Sequence, residues 1–294
     1  MDVRLEYDVV DVFTDEPFAG NALAVVHGAQ GLSAAAMQAV ATEFQLSETA
    51  FPLVRGSSAS EYDIRIFTPQ TELAFAGHPS IGSAWSLVRR GLVRGPDLVQ
   101  HCGAGPVAVR VGEGDDDLTW LTGAGSTLRP EQDPAAPLLA VGLSEADLVG
   151  LPTVVAGTGL RFCYLFVRPG SVARATPDLR LLRQLRPLGP DLGGVAVVGW
   201  HDGAARARVF TDDIGAAEDP ATGSAALGLA VVLVAQGLLP GEGESRFTVS
   251  QGIEMGRPSV LHCQVDARGG QAVGCRVGGQ VVPVASGTMV APRR

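Results

Sequence analysis

The chain is poor in the residue groupings that mark several large protein classes. It has 4 cysteines in 294 residues, Cys102, Cys163, Cys263 and Cys275, all widely separated. With no CxxC and no Cys/His cluster, a metal site has no support, and a disulfide framework does not suit a chain of this length. Four reduced, mostly buried thiols are expected. Lys and Arg number 22 against 31 Asp and Glu, giving a net charge of −9, and they nowhere form a block. A nucleic-acid surface needs a basic stripe, so no nucleic-acid partner is expected. The longest apolar run, residues 225–235, covers about 11 residues. That is too short to span a bilayer, so no membrane partner is expected. The early charges Asp2, Arg4, Glu6 and Asp8 are incompatible with a secretory h-region and point to the cytoplasm. No GxGxxG follows the first strand, and neither a Walker loop nor GxSxG occurs. Nucleotide binding and α/β-hydrolase chemistry therefore lack their motifs.

What is present is 46% hydrophobic residues with 18% charged, enough to bury sizeable cores. The length fits one large domain or two of about 150 residues. Strand patterns occur near residues 3–13, 22–26, 49–54, 62–67, 153–156, 162–167, 246–250, 259–265, 272–277 and 280–284. Residues 107–111 and 118–121 suggest a hairpin around 113–117, and 195–200 with 205–210 a second across His201-Asp-Gly203. Helices are expected at about 34–44, with Ser33 as N-cap, and near 178–185. Residues 123–140, rich in Gly, Pro, Ser and Ala, read as a linker. The predicted division is an N-terminal half, 1–122, which the last strand at 285–294 could complete, and a C-terminal half, 123–284. Many short strands with one long helix per half predict an α+β fold, in which a mostly antiparallel sheet curls around a central helix.

Two segments suggest that one unit is used twice. Ala76-Gly-His-Pro-Ser-Ile-Gly-Ser-Ala84 shares five of nine residues with Ala217-Glu-Asp-Pro-Ala-Thr-Gly-Ser-Ala225. Each follows a strand-like run (Ile64-Arg-Ile-Phe-Thr68 and Ala207-Arg-Val-Phe-Thr211), and each leads into an apolar helix ending at Gly-Leu. This alignment pairs His78 with Asp219, which suggests one site between two halves. Helix starts expose amides and a partial positive charge. Gly77, Gly82 and Gly223 would let a ligand approach that backbone, and such a site suits a carboxylate or an enolate-like transition state. His78 is a natural proton carrier. Glu218 beside Asp219 would discourage ionisation of that carboxyl. Glu48, in Leu46-Ser-Glu-Thr-Ala-Phe-Pro52, is either an exposed strand-edge residue or a partly buried carboxyl whose pKa burial raises. Asn21, after Phe18-Ala-Gly20, either orients a ligand or caps a turn. Ser83 and Ser224 read as first-turn helix residues, with no base beside them in sequence.

These residues resemble those of the PhzF-like phenazine-biosynthesis family, within the diaminopimelate-epimerase fold. The likeness lies in residues 11–21, 46–51, 64–84 and 207–225, in Gln251-Gly-Ile-Glu-Met-Gly-Arg-Pro258 and in Gly278-Gly-Gln-Val-Val282, and so spans nearly the whole chain. The resemblance implies a cofactor-independent isomerase acting on a small carboxylate-bearing substrate in a cleft between two similar halves. Glu48 would move the proton, His78 and Asp219 would support it, and the amides of Gly77 and Ser224 would hold the carboxylate. Family members are commonly homodimers. Neither repeat carries the cysteine of the two-thiol racemases, since Ala76 precedes Gly77. Two other readings stand beside the isomerase: a two-base epimerase or racemase using Glu48 and Asp219, and a non-catalytic small-molecule-binding protein on the same scaffold.

Overall fold

In the computed structural model, residues 4–55, 60–113, 117–130, 132–185, 192–212 and 217–292 are described. The chain forms two compact units: Met1–Leu121 with Gly278–Arg294, and Thr122–Val277. In chain order the elements begin with β1 (Arg4–Val12), β2 (Asn21–His27), α1 (Ala34–Phe44), β3 (Glu48–Val54), β4 (Glu61–Phe67), β5 (Glu72–Leu73) and α2 (Gly77–Arg89). They continue with β6 (Asp97–Cys102), β7 (Gly105–Arg110), β8 (Thr119–Thr122), β9 (Thr127–Arg129), α3 (Ala135–Ala140), β10 (Val154–Thr158), β11 (Leu160–Phe166), α4 (Pro169–Val172) and α5 (Leu179–Gln184). The last are β12 (Leu192–His201), β13 (Ala204–Phe210), β14 (Glu218–Asp219), α6 (Gly223–Ala235), β15 (Gly243–Gln251), β16 (Ser259–Arg268), β17 (Gln271–Gly279) and β18 (Val281–Val290). The fold is α+β, with strands predominating. Both predicted hairpins form, as β7/β8 and β12/β13; residues 114–116 of the first turn lie outside the described residues.

The two units share a connectivity. In the first, β18, β1, β2, β3, β4, β6, β7 and β8 are successive neighbours, and β5 lies along β4. In the second, β9, β10, β11, β12, β13, β15 and β16 follow one another, and β14 lies along β13. Most pairs are antiparallel. The parallel ones fall at equivalent places, β2/β3 and β4/β6 against β11/β12 and β13/β15. A 13-residue helix occupies each inner face. α2 packs on β1, β2, β3, β7 and β18; α6 packs on β9, β10, β11 and β16. α6 is apolar around almost its whole circumference, as a helix enclosed by sheet must be.

On the outer face of the first unit, α1 lies on β3 and β4, with Met37, Val40, Phe51 and Phe67 in one cluster. Ser33 caps α1 by accepting from the Ala36 amide. In the second unit α3, α4 and α5 contribute to a cluster that includes Leu138, Leu165, Val172, Leu182, Val195 and Phe210. Residues 123–140 are not a linker. They carry β9, which pairs with β10, and α3, whose Leu138 and Ala140 are buried in that cluster. Pro134 precedes α3 as its N-cap, so a composition that reads as loop here starts a helix.

The repeat is real, but its register is not that of the nine-residue match. The matched segments lie 141 residues apart, whereas the helix starts Gly77 and Gly223 lie 146 apart, as do the Gly-Leu ends at Gly91 and Gly237. The structural counterpart of His78 is therefore Ser224. Asp219 sits in β14 ahead of its helix, and its counterpart is Leu73 of β5. Packing agrees with the longer spacing. Gly82 and Gly228 each occupy the sixth helical position, where an added Cβ would meet Leu23 at 2.6 Å and the Tyr164 hydroxyl at 2.2 Å. Gly82 thus serves helix–sheet packing and does not open the backbone to a ligand. Ser83, fully buried in the second turn of α2, is likewise not a first-turn residue.

Candidate active site

The first unit gathers Asn21, Glu48 and His78 at one place. Asn21 and Glu48 open neighbouring parallel strands β2 and β3, and His78 is the second residue of α2. The approach to Asn21 is fixed locally. Gly20 has φ +62, and a Cβ there would lie 2.4 Å from the Val12 carbonyl oxygen, so only glycine fits. The buried Asp11 carboxylate accepts from the Phe18 amide at 2.7 Å and holds the preceding loop.

α2 is fastened at both ends. In its first turn Ser80 donates to the Ala76 carbonyl and accepts from Gln100, which in turn accepts from the Tyr62 hydroxyl. Past its last turn Arg90 donates to both Asp8 oxygens, and Ser86 donates to Asp8 as well. Burial would raise the Asp8 pKa, but the hydrogen bonds from Arg90 and Ser86 outweigh it and hold Asp8 down at about 2.

Between these anchors runs a polar chain. The Ser47 hydroxyl donates to Asn21 Oδ1 at 3.2 Å, and Asn21 Nδ2 donates to His78 Nδ1 at 3.3 Å. With Nδ1 accepting, the neutral imidazole carries its proton on Nε2, which lies 3.5 Å from Glu48 Oε2. Glu48 is 6% exposed, so the buried one of its two sequence readings is correct. Its Oε2 accepts no hydrogen bond. Burial pushes the carboxyl up to about 7, against a smaller opposing effect of Ser47. The group can therefore both take and release a proton near neutrality. Ser47 was not singled out in the sequence, although its place beside Glu48 was the available signal.

The second unit holds Asp219, Gly223 and Ser224. Glu218 turns away from Asp219 to a two-point ion pair with Arg208, at 2.8 and 2.6 Å, so its charge is matched there. Asp219 Oδ2 accepts from the Thr222 hydroxyl at 2.6 Å. Buried Gln251 closes this turn: its Nε2 donates to the Asp219 carbonyl and to Thr222 Oγ1, and its Oε1 accepts from the Thr222 amide. Thr222 is the N-cap of α6, and the amides of Gly223, Ser224 and Ala225 that follow have no intrahelical acceptor. In α2 the third position is Pro79, which brings no amide. Thr222 was visible as a helix-start threonine before Gly-Ser. Gln251 lay in a recognised motif, but its partner is 29 residues away, and nothing local identified it.

Among the described residues no group of His, Cys, Asp and Glu is arranged to hold a metal ion, and no helix is long and apolar enough to cross a membrane. Cys163, Cys263 and Cys275 are buried and Cys102 is half-buried.

Comparison with known proteins agrees with the topology. The model of the phenazine biosynthesis-like protein family matches residues 10–287. An uncharacterised isomerase of Mesorhizobium japonicum is 35% identical, with 96% of this chain and 98% of the relative covered. The trans-2,3-dihydro-3-hydroxyanthranilate isomerase of Pseudomonas aeruginosa is 34% identical over 96% of this chain and 98% of its own. The crystal structure of a PhzF-family phenazine biosynthesis protein from Bacillus anthracis has the same fold, with a TM-score of 0.87 at 22% identity, covering 98% of this chain and 99% of that one. The chain belongs to the phenazine biosynthesis-like (PhzF) family of isomerases.

Proposed function

We propose that this isomerase moves a proton on a small carboxylate-bearing molecule by general acid–base catalysis at Glu48, without a bound cofactor. One observation carries the reading: a buried carboxyl with an unengaged oxygen, held near neutrality by its surroundings, faces an imidazole whose opposite nitrogen is already satisfied. Glu48 takes the proton from a carbon next to an electron-withdrawing group and returns it elsewhere. His78, oriented by Asn21, holds the carboxylate form of Glu48 in place through Nε2–H. Asp219 supports the same reaction, and the amides of Gly77, Gly223 and Ser224 hold the substrate carboxylate. General acid–base transfer of this kind contributes roughly 10²- to 10⁴-fold.

Because a relative of 34% identity is named for trans-2,3-dihydro-3-hydroxyanthranilate, that compound is the first probe. Incubated with it in D2O, the enzyme should give isomerised product carrying solvent deuterium, read by NMR. Glu48→Gln should lose both deuterium uptake and isomerisation while still binding the probe. Uptake at the wild-type rate in Glu48→Gln would remove Glu48 from the mechanism.

A further inference from the structure

We infer that Gln251 is a positioning residue for Asp219, acting through Thr222. This rests on the role given to Asp219 above. The three contacts of Gln251 leave no freedom in how its amide is placed. The Asp219 carbonyl can only accept and the Thr222 amide can only donate, so Nε2 must face the first and Oε1 the second. The second proton of Nε2 then goes to Thr222 Oγ1 at 3.0 Å. Because that oxygen is already receiving a hydrogen bond, its own proton is turned toward Asp219 Oδ2. One side chain thereby fixes both the backbone and the carboxylate of Asp219.

Gln251 is itself held. It ends β15 in register with Ser259 of β16 and is 2% exposed. The next residue, Gly252, has φ +75, and a Cβ there would lie 2.6 Å from the Pro220 carbonyl oxygen and 2.3 Å from that of Arg257. The strand end therefore presses directly on the turn that carries Asp219. The two-residue strand β14 and the start of α6 are joined by this clasp; in the first unit the residue that ends β6 is Cys102, and Gln100 of that strand reaches α2 through the Ser80 hydroxyl instead.

The test compares Gln251→Leu, Thr222→Val, Thr222→Ser and Asp219→Asn by turnover of trans-2,3-dihydro-3-hydroxyanthranilate, with crystal structures of the first two. Thr222→Val removes only the hydroxyl and leaves both backbone contacts of Gln251 in place, so it stands even where Gln251→Leu does not fold. Thr222→Val and Gln251→Leu should each lower kcat about tenfold or more with KM changed less than about threefold, the scale of a lost hydrogen bond to a charged group. Thr222→Ser should retain wild-type kcat, and the Gln251→Leu/Thr222→Val double variant should be no slower than the worse single one. Full kcat in Gln251→Leu and Thr222→Val beside a crippled Asp219→Asn overturns the inference. Full kcat in Asp219→Asn instead overturns the role of Asp219 on which it rests. Should the wild type not turn over this probe, the crystal structures decide: the Asp219 carboxylate must leave its position in both variants, and an unmoved carboxylate overturns the inference.

Discussion

The starts of α2 and α6 occupy equivalent places in two units of the same connectivity, yet they are chemically unlike. At α2 the side chains that meet are titratable or orient a titratable group: Glu48, His78 and Asn21. At α6 the turn is a closed arrangement of one carboxylate, one hydroxyl and one amide, followed by three small residues whose amides have no acceptor within the helix. What the two starts share is packing, seen in the sixth-position glycines and the enclosing strands. The two units keep in common what the core requires and differ in the first helical turn, which adjoins a buried carboxyl and imidazole in one unit and carries a fixed polar turn in the other.

The comparison can be broken most directly at Glu48. Glu48→Gln should reduce kcat by roughly 10²- to 10⁴-fold, in steady-state assays of the probe, whereas Ser224→Ala at the equivalent helix start keeps its backbone amide and should change kcat less than about threefold. The second effect is on stability and its pH dependence. Because the folded-state pKa of Glu48 is raised, to about 7 from 4.5, ionising it in the folded protein costs free energy. Wild-type stability relative to Glu48→Gln should therefore fall as pH rises from about 4.5 to 7 and level off above, by roughly 2–3 kcal/mol in total, read by urea denaturation at about pH 4.5 and 8. No change in the difference between the two proteins across that range would contradict the burial account.

Third, Gly228→Ala should cost more than Gly82→Ala, roughly 2–3 against 1–2 kcal/mol by denaturation. The added methyl at Gly228 meets a tyrosine hydroxyl already bonded to the Ala225 carbonyl, and that at Gly82 meets the flexible end of Leu23. Equal and negligible costs would undo the structural register of the repeat. Fourth, Asn21→Ala should slow turnover about tenfold by freeing the His78 ring, with KM little changed.

Much of this was legible in the sequence, for identifiable reasons. The long helices, the Ser33 cap and the β12/β13 hairpin follow from periodicity and from turn chemistry such as His201-Asp-Gly203, which act over a few residues. The association of Glu48 with His78 came from motif resemblance, since no local pattern joins residues this far apart, whereas Asn21 had only a local reading that left its role open. The repeat register failed for a physical reason. Pro and Ser are favoured at helix starts and Ala within helices, so they recur by propensity without being equivalent. The five-residue disagreement between the nonapeptide spacing and the Gly-Leu spacing was nevertheless present in the sequence. The supposed linker misled because small residues and prolines also suit a short helix on a tightly packed outer face. The Gln251 clasp needed coordinates, because a buried glutamine at a strand end has no local signature.

The central claim is that burial beside His78 keeps Glu48 protonatable at neutral pH. It is tested most directly by following the Glu48 side-chain carboxyl by 13C NMR from about pH 3 to 9, assigned by the signal missing from Glu48→Gln. The account predicts a titration centred near pH 7. A titration in the ordinary glutamate range, about 4.3, would contradict it.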